Sequence, residues 1–401
     1  MKALTEEGSS ILILALAEAA GMIPWFTAAA VLPDMVRESG IATSNQALLS
    51  SSVQAGFVVG ALLIAAFQLA DRVDPRRLFC GCALGAALMN GLLTIAPIGG
   101  AIAVFLRLMT GAFLAGVYPI GMKIAVGWGT SNRGFLVGLL VGALTLGKST
   151  PYLLAFIGGT DWRIAILASS TIAGIGGLMV LATSLGPHHS RAVKFDPRAI
   201  LVAWTDRRIR NAYLGYFGHM WELFAFWAWV GTAASISYAH SVGNASAESL
   251  GKLTAFLAIA LGAPICLIAG RYADRIGKAE VTIIAMGLSG AAALLTAATF
   301  GGPVWITFVL MVVWGIAVIP DSAQFSALVA DFSPPSLAGS LLTLQTALGF
   351  SLTIFTVQAV PLIADATSWP IVLATLAIGP VVGIVAMRPL RAVARNVASA
   401  S

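Results

Sequence analysis

The sequence has few charged residues. Only 10% of its 401 residues are Asp, Glu, Lys or Arg, whereas 58% are hydrophobic. Soluble domains carry roughly 25% charged residues, which keep their surfaces in water. The apolar residues here exceed what one buried core can use, so the remainder must face lipid. The shortage of charge excludes a soluble domain and predicts an integral membrane protein.

Cysteine and histidine are also scarce, with three and four residues. Cys80 and Cys82 lack the second pair that a zinc site or a disulfide framework requires. The chain also lacks a P-loop and a recognisable pair of nucleophile and base. We therefore predict no metal, no cofactor and no enzymatic activity.

The basic residues indicate topology rather than nucleic-acid binding. The net charge is +6, but the 23 basic residues are sparse and fall mainly in short loops. With the N-terminus in the cytoplasm, eighteen lie on the inner side and only Arg37, Arg163 and Lys252 on the outer side. Positive charge favours the cytoplasmic side. We expect an inner (plasma) membrane protein with cytoplasmic N- and C-termini.

Apolar runs of about 20 residues, the length that crosses a bilayer, recur along the chain. We predict an all-α membrane protein with twelve transmembrane helices. The longest polar stretch, 186–210, is predicted as a cytoplasmic linker between six-helix bundles at 1–185 and 211–401, the second with a short cytoplasmic tail. The predicted helices are 10–33, 46–70, 78–97, 100–124, 134–157, 163–185, 211–240, 250–271, 279–299, 303–325, 336–360 and 370–388.

The two halves repeat each other at an offset of just over 200 residues. Glu18 and Trp25 match Glu222 and Trp229, both at an offset of 204. Parallel repeats of this kind are a transporter architecture, because two similar bundles can rock about a site between them. Further matches in the same order are Leu69-Ala70-Asp71-Arg72 with Tyr272-Ala273-Asp274-Arg275, Pro119 with Pro320, Gly138 with Gly339, and Leu146-Gly147 with Leu348-Gly349.

At these positions the sequence resembles the major facilitator superfamily. The family's loop motif Gly-x-x-x-Asp-Arg-x-Gly-Arg/Lys is matched by residues 270–278. The first copy is degraded, since Phe67 replaces its first glycine and Asp74-Pro75 its later Gly-basic pair. Arg107 with Gly111, and Asp161-Trp162-Arg163, are similar to further elements of the family.

The resemblance implies two pseudo-symmetric six-helix bundles that transport a solute by alternating access. It also implies that charged loop residues form gating contacts, which transport must break. The alternative is a solvated loop that merely obeys the positive-inside rule. The candidate gating residues are Asp71, Arg72, Arg76, Asp274 and Arg275.

Two cations lie inside predicted helices, where a charge costs at least about 2.5–3.5 kcal/mol unless it is paired or hydrated. Arg107 and Lys148 fall at a similar depth in spans four and five, which predicts a basic patch for a carboxylate or another small anion. Alternatively, Arg107 braces span four through a buried pair or backbone carbonyls, and Lys148 extends its ammonium to the surface.

Acidic and aromatic residues share helix faces in spans one and seven. Glu18, Glu222 and His219 are candidate proton-coupling residues, because a buried Glu can carry a proton. Alternatively, the acids form interhelical hydrogen bonds and His219 is a packing residue. The aromatic side chains predicted to line a substrate site are Trp25, Trp229 and Phe226. Asp321, after Pro320, is predicted to lie at the membrane interface.

The sequence thus predicts a secondary active transporter for a small organic anion or zwitterion, driven by protons or by exchange. The interruption of a family Gly-Pro motif in span five by Lys148-Ser149-Thr150 favours a charged substrate. The alternative is a proton-coupled efflux pump for hydrophobic drugs or metabolites. We expect a monomer in contact with membrane lipids, a small-molecule substrate and protons, and no nucleic acid.

Overall fold

The fold is entirely helical in the part of the chain that the structure describes. The computed structural model describes residues 6–129, 133–159, 161–188, 196–334 and 336–391, except for the side chains of 133, 134 and 274. These residues form two compact units, Met1–Ala192 and Val193–Ser401. Twelve long helices make up the two units, six in each.

The helices, which we number α1 to α12, follow the predicted spans closely. Eleven are apolar and long enough to cross a membrane. α7 is the twelfth and the longest, with 36 residues, and its His, Glu, Tyr and Trp side chains make it more polar. The bounds are α1 Glu6–Ser39, α2 Thr43–Ala66, α3 Pro75–Thr94, α4 Ala101–Val126, α5 Phe135–Ile157, α6 Trp162–Ala182, α7 Arg207–Val242, α8 Asn244–Ala273, α9 Lys278–Ala298, α10 Val304–Phe332, α11 Ala338–Ala366 and α12 Trp369–Met387.

The segment predicted as a linker contains regular structure. Arg198–Thr205 is a short helix, and α7 begins at Arg207, four residues earlier than predicted. Asp206 begins α7 because its carboxylate accepts hydrogen bonds from the backbone N–H groups of Arg208 and Ile209. The predicted domain bounds stay predictions, and residues 189–195 lie outside the described part.

The first helix changes its winding in the middle. Residues Ile23–Phe26 form a 3₁₀ turn that contains Pro24, after which α-helical structure resumes at Thr27. Proline cannot donate a backbone hydrogen bond, so nearby carbonyls lose their usual partners. α1 ends at Gly40, whose positive φ of 59° suits glycine. The first span therefore extends six residues beyond its predicted end.

Within unit 1, α2 packs against α4 and α3 against α6, while α1 contacts α5 and α6. The α2–α4 crossing depends on glycine. A methyl group at Gly111 would overlap the carbonyl of Val53, and one at Gly56 would overlap the carbonyl of Leu108. Small residues allow membrane helices to approach this closely.

Unit 2 repeats this arrangement six helices later. α8 packs against α10, α9 against α12, and α7 against α11 and α12. A methyl group at Gly315 would overlap the carbonyl of Ala258, and Gly315 lies 204 residues after Gly111. The internal repeat predicted from sequence therefore also exists in the helix packing of each unit.

Candidate functional site

Arg107 is fully buried in unit 1 and is surrounded by oxygen atoms. Its guanidinium donates to the backbone carbonyls of Pro24 at 2.9 Å, Trp25 at 2.6 Å and Leu49 at 3.3 Å. It also donates to Oδ1 of Asn90 at 3.0 Å. Arg107 thus satisfies carbonyls around the 3₁₀ turn of α1, as the bracing alternative predicts. Direct substrate binding by Arg107 stays a prediction.

Lys148 lies inside unit 1 against an aromatic ring. Its side chain is buried, and Nζ lies 4.0 Å from the centroid of Trp25, within the range of a cation–π interaction. Trp25 packs on Phe57 with 5.0 Å between ring centroids. Lys148 therefore does not extend to the surface in this conformation. The structure brings together Lys148 and Trp25, both of which the sequence proposes as substrate-binding residues.

Glu18 is the acidic partner of this region. It is fully buried, and neither of its carboxylate oxygens has a hydrogen-bonding partner among the described residues. Oε2 lies against Gly121 of α4, where a methyl group would overlap it. Glu18 and Lys148 interact electrostatically. Unit 1 thus encloses a cation, an acid and an indole ring in one region.

Glu222 occupies the matching position of unit 2 in a different environment. Oε1 accepts a hydrogen bond from Nε1 of Trp314 at 2.7 Å, and Oε2 accepts one from Oγ of Ser289 at 2.9 Å. Phe226 stacks on Trp314 with 4.3 Å between ring centroids. Glu222 thus forms the interhelical hydrogen bonds that the alternative interpretation of this acid describes, and its role in proton coupling stays a prediction.

Asp321 lies within α10 and not at its end, so the predicted helix-end position is wrong. It is 1% exposed, and its Oδ1 lies 2.9 Å from Nδ1 of His219. The helix of α10 is interrupted at Val318–Asp321 and resumes at Ser322, so this carboxylate points inward from a break in the helix. Asp321 also interacts electrostatically with Glu222 and Cys266. Unit 2 therefore encloses two acids and one imidazole.

Trp229 and Phe226 line a small apolar cavity of about 10 Å³ in unit 2, near the lower limit for one water molecule. Trp369 lines the same cavity and lies 6.4 Å from Trp229 between ring centroids. Nε1 of Trp229 donates to the carbonyl of Val357 at 3.0 Å. The two aromatic residues are thus neighbours, as predicted, but Trp25 lies in the other unit.

The first loop motif contacts the end of α4. Nζ of Lys123 lies 2.6 Å from Oδ1 of Asp71 and donates to the carbonyl of Ala70 at 2.8 Å. These residues line an open cavity of about 230 Å³. Arg72 is exposed. Asp71 is therefore bound within unit 1 by a residue that the sequence did not propose.

Arg76 holds the start of α3. It pairs with Asp74 at 2.7 Å and donates to the carbonyl of Thr183 at 3.0 Å. Hydrogen bonding to Arg76 lowers the pKa of Asp74 from its ordinary value to about 2. Arg76 thus links the start of α3 to the end of α6.

The second loop motif contains a different ion pair. Lys278 pairs with Asp331 at the end of α10. Arg275 is exposed, and the side chain of Asp274 lies outside the described part. The gating roles of Asp71, Arg72, Arg76, Asp274 and Arg275 all stay predictions.

The Asp-Trp-Arg element at the start of α6 joins two helices of unit 1. The guanidinium of Arg163 donates to both carboxylate oxygens of Glu38, at 2.6 and 3.0 Å, and Nε1 of Trp162 donates to Glu38 at 2.7 Å. Asp161 accepts a hydrogen bond from the backbone of Arg163, which begins the helix. The element fastens α6 to the end of α1 and contributes no group to the buried charges.

A family profile described as Major Facilitator Superfamily matches residues 14–357. The chain belongs to the major facilitator superfamily. It is an integral membrane transporter and not an enzyme. The predicted family and the fold of twelve membrane helices are confirmed.

Two solved structures have the same fold. A mutant of the nucleoside transporter NupG has a TM-score of 0.74 at 14% identity, covering 96% of this chain and 99% of its own. The xylose transporter XylE from E. coli, in a partially occluded inward-open conformation, has a TM-score of 0.74 at 12% identity and the same coverage. No curated protein sequence matches the chain significantly. At these identities, the likeness concerns the fold alone.

Asn90 is not identified from the sequence, and Asp321 is placed at a helix end. Asn90 in α3 accepts a hydrogen bond from Arg107. The sequence indicates this role only in that Asn90 is a polar residue inside an apolar run. Asp321 was noticed, but its position after Pro320 was interpreted as a helix end rather than a break. A proline can begin a new helical segment within the membrane, so that signal was present.

Proposed function

We propose that this transporter moves a small organic anion or zwitterion across the cytoplasmic membrane by alternating access, driven by protons or by exchange. The observation that supports this proposal is Lys148, a buried lysine held over the ring of Trp25. A lysine inside hydrocarbon is costly unless it is paired or solvated. The carboxylate of a substrate would bind the Lys148 ammonium group, and Trp25 would contact an apolar part of that substrate.

The proton-coupling part of the proposal concerns unit 2. Glu222, His219 and Asp321 are buried together, and such residues in membrane helices commonly form proton relays. Nδ1 of His219 lies 2.9 Å from Oδ1 of Asp321, so an imidazole and a carboxylate are in direct contact within this cluster. We assign proton transfer to this cluster. Glu18, the remaining candidate for proton coupling, lies in unit 1.

We place both termini in the cytoplasm, because this orientation leaves only three basic residues on the outer side. In this orientation the Asp71 and Asp274 loops also lie on the cytoplasmic side. We expect the transporter to act as a monomer among lipids, with a small solute and protons as its partners.

Reconstituted transport tests the anion site. Purified protein in liposomes containing a trapped pH indicator would be exposed to a panel of organic anions and zwitterions, including L-lactate, L-glutamate and L-phenylalanine, with and without an imposed pH gradient and with protein-free liposomes as the passive control. We expect at least one of them to move protons into the liposomes. Lys148→Met should abolish this flux, whereas Lys252→Met, which removes a buried lysine of unit 2, should retain it.

The result that rejects the anion site is equal flux with Lys148→Met and the unaltered protein. Folding is checked by monodispersity and by the apparent melting temperature of each variant. If Lys148→Met does not fold, Lys148→Arg keeps the charge but changes its shape, and altered selectivity among the carboxylates then gives the same information.

A second candidate function is proton-coupled efflux of hydrophobic compounds. The neighbouring aromatic residues Phe226, Trp229 and Trp369 favour it, because aromatic side chains suit apolar and aromatic ligands. Cells that express the protein would then resist lipophilic dyes such as ethidium. Resistance that persists in Lys148→Met and is lost in Trp229→Ala would favour efflux over anion transport.

A further inference from the structure

Glu18 has a hydrogen-bonding requirement that the described residues of unit 1 do not meet. Both carboxylate oxygens are buried and lack hydrogen-bonding partners among the described residues. Burying a carboxylate without hydrogen bonds is costly, and a proton or a cationic hydrogen-bond donor would lower that cost. Gly121 leaves just enough room for Oε2. The fold thus places this carboxylate in a fixed position instead of allowing it to reach water.

Helix packing sets Glu18 and Lys148 at the same level. A methyl group at Gly147 would overlap the carbonyl of Ala19, so α5 touches α1 at the residues that adjoin Lys148 and Glu18. The two side chains interact electrostatically across this contact, and each is at most 2% exposed. A bound substrate at Lys148 would therefore feel the charge of Glu18 as well.

An anion with no positive charge suits this pair poorly. Its carboxylate would gain from Lys148 but would be repelled by Glu18, and Glu18 would remain unsatisfied. A substrate with an ammonium group near its carboxylate meets both requirements, because ammonium donates three hydrogen bonds and carries the opposite charge. Trp25, held between Lys148 and Phe57, would then contact its side chain.

We propose that the substrates are amino acids or similar zwitterions, with Lys148 binding the carboxylate and Glu18 binding the ammonium group. This inference rests on the proposed function, since it assigns the same Lys148 site. It gives Glu18 a role different from that of Glu222, whose oxygens are already occupied by Trp314 and Ser289. The two matching acids of the repeat thus have separate tasks, substrate recognition in unit 1 and proton transfer in unit 2.

Matched ligand triplets test the assignment. The twenty standard L-amino acids are first screened by the rise in apparent melting temperature of the purified protein. The amino acid that stabilises most is then compared with its deaminated acid and its decarboxylated amine; for L-phenylalanine these are 3-phenylpropionate and phenethylamine. Dissociation constants are measured for unaltered protein, Glu18→Gln, Lys148→Met and the exposed control Glu7→Gln on the same helix.

The expected pattern is an exchange of preference. Unaltered protein and Glu7→Gln should bind the amino acid at least about tenfold more tightly than either analogue, which corresponds to about 1.4 kcal/mol. Glu18→Gln should lose its preference for the amino acid over the deaminated acid. Lys148→Met should lose its preference for the amino acid over the amine. Gln has nearly the same shape as Glu. The apparent melting temperature of Glu18→Gln therefore distinguishes loss of folding from loss of ligand recognition.

Three results overturn the proposal. They are the absence of any stabilising amino acid, equal binding of the amino acid and its deaminated acid by unaltered protein, and an unchanged preference in Glu18→Gln. If carboxylates without an amine still bind and need Lys148, only the zwitterion inference fails. If Lys148→Met binds every ligand normally, the anion site of the proposed function fails with it.

Discussion

The two units share a packing plan and differ in the chemistry of their interiors. Gly111 and Gly315 form the same helix crossing at an offset of 204 residues. At that offset, Arg107 of unit 1 corresponds to Met311 of unit 2. When the two halves of the sequence are aligned at Gly147 and Gly349, Lys148 corresponds to Phe350. The glycines that fix this helix contact are repeated, whereas Arg107 and Lys148 of unit 1 correspond to uncharged residues in unit 2.

The matching acids show the same division. Glu18 lacks hydrogen-bonding partners among the described residues, while Glu222 has two and lies near a second carboxylate. Neither Ala15 nor Ile120, which correspond to His219 and Asp321, can titrate. The difference teaches that two units with the same helix packing can bury basic side chains in one unit and a cluster of acidic side chains in the other. The separate tasks that we propose for the two units rest on this asymmetry.

The shared crossing gives the largest expected effect. Gly111→Ala and Gly315→Ala should each destabilise the fold by several kcal/mol, because the obstacle is backbone and cannot rotate away; ordinary overpacking costs about 1–3 kcal/mol. Apparent melting temperature and monodisperse yield would measure the loss. Gly81→Ala and Gly287→Ala, where an added methyl group meets nothing, are the controls. Sensitivity at only one of the two crossing glycines would contradict the structural repeat.

The next largest effect concerns the Arg107–Met311 difference. Arg107→Met gives unit 1 the side chain of unit 2 and should cost about 3 kcal/mol or more, since it leaves several buried carbonyls unpaired. Thermal unfolding in detergent checks this, with Met311→Leu as a mild control. A stable Arg107→Met that has lost only ligand binding would show that Arg107 serves the substrate and not the turn of α1.

A smaller effect is expected for the partners of Glu222. Ser289→Ala and Trp314→Phe each remove one hydrogen bond to a carboxylate and should cost about 1.5–3 kcal/mol. Because they share one acceptor group, their effects should change when Glu222→Gln is also present. A double-mutant cycle by thermal unfolding measures this coupling. Strict additivity would mean that the hydrogen bonds contribute nothing specific to unit 2.

The smallest expected effect lies at the start of α3. Asp74 begins this helix by accepting from the backbone of Arg76, whereas Gly277 stands at the same place before α9 and has no side chain. Asp74→Ala should lower stability by about 1 kcal/mol at neutral pH. Gly277→Ser should not lower the stability in this way, because no side chain caps the start of α9 in the unaltered protein.

The pH dependence of the Asp74 effect has a definite sign. Its pKa falls from 3.8 to about 2 on folding because of Arg76, so the folded state favours the charged form. The contribution is complete above pH 4 and is lost as the pH falls through 2. Melting temperatures of the unaltered protein and Asp74→Ala should therefore converge at low pH. A constant difference down to pH 2 would contradict the Asp74–Arg76 interaction.

The helical spans could be predicted because lipid imposes simple rules on a sequence. Runs such as those of α2 and α9 must be apolar and about 20 residues long, so composition alone finds them. α7 was found despite its polar side chains because its apolar residues continue through Glu222. The 3₁₀ turn of α1 at Pro24 and the break of α10 before Ser322 were not predicted. Both depend on whether a neighbouring side chain satisfies the freed carbonyls.

The sequence by itself determined the family, the twelve membrane helices and the presence of buried charges, since each follows from hydropathy, short motifs and the repeat. Only the tertiary structure decided what those charges do. It turned Arg107 toward the carbonyls of α1, placed Lys148 over Trp25 and brought Asp321 against His219. The physical reason is separation along the sequence, because the hydropathy of a segment depends only on residues that are close together in the chain. A charge inside a membrane is instead stabilised by groups that lie far apart in sequence and meet only when the helices pack.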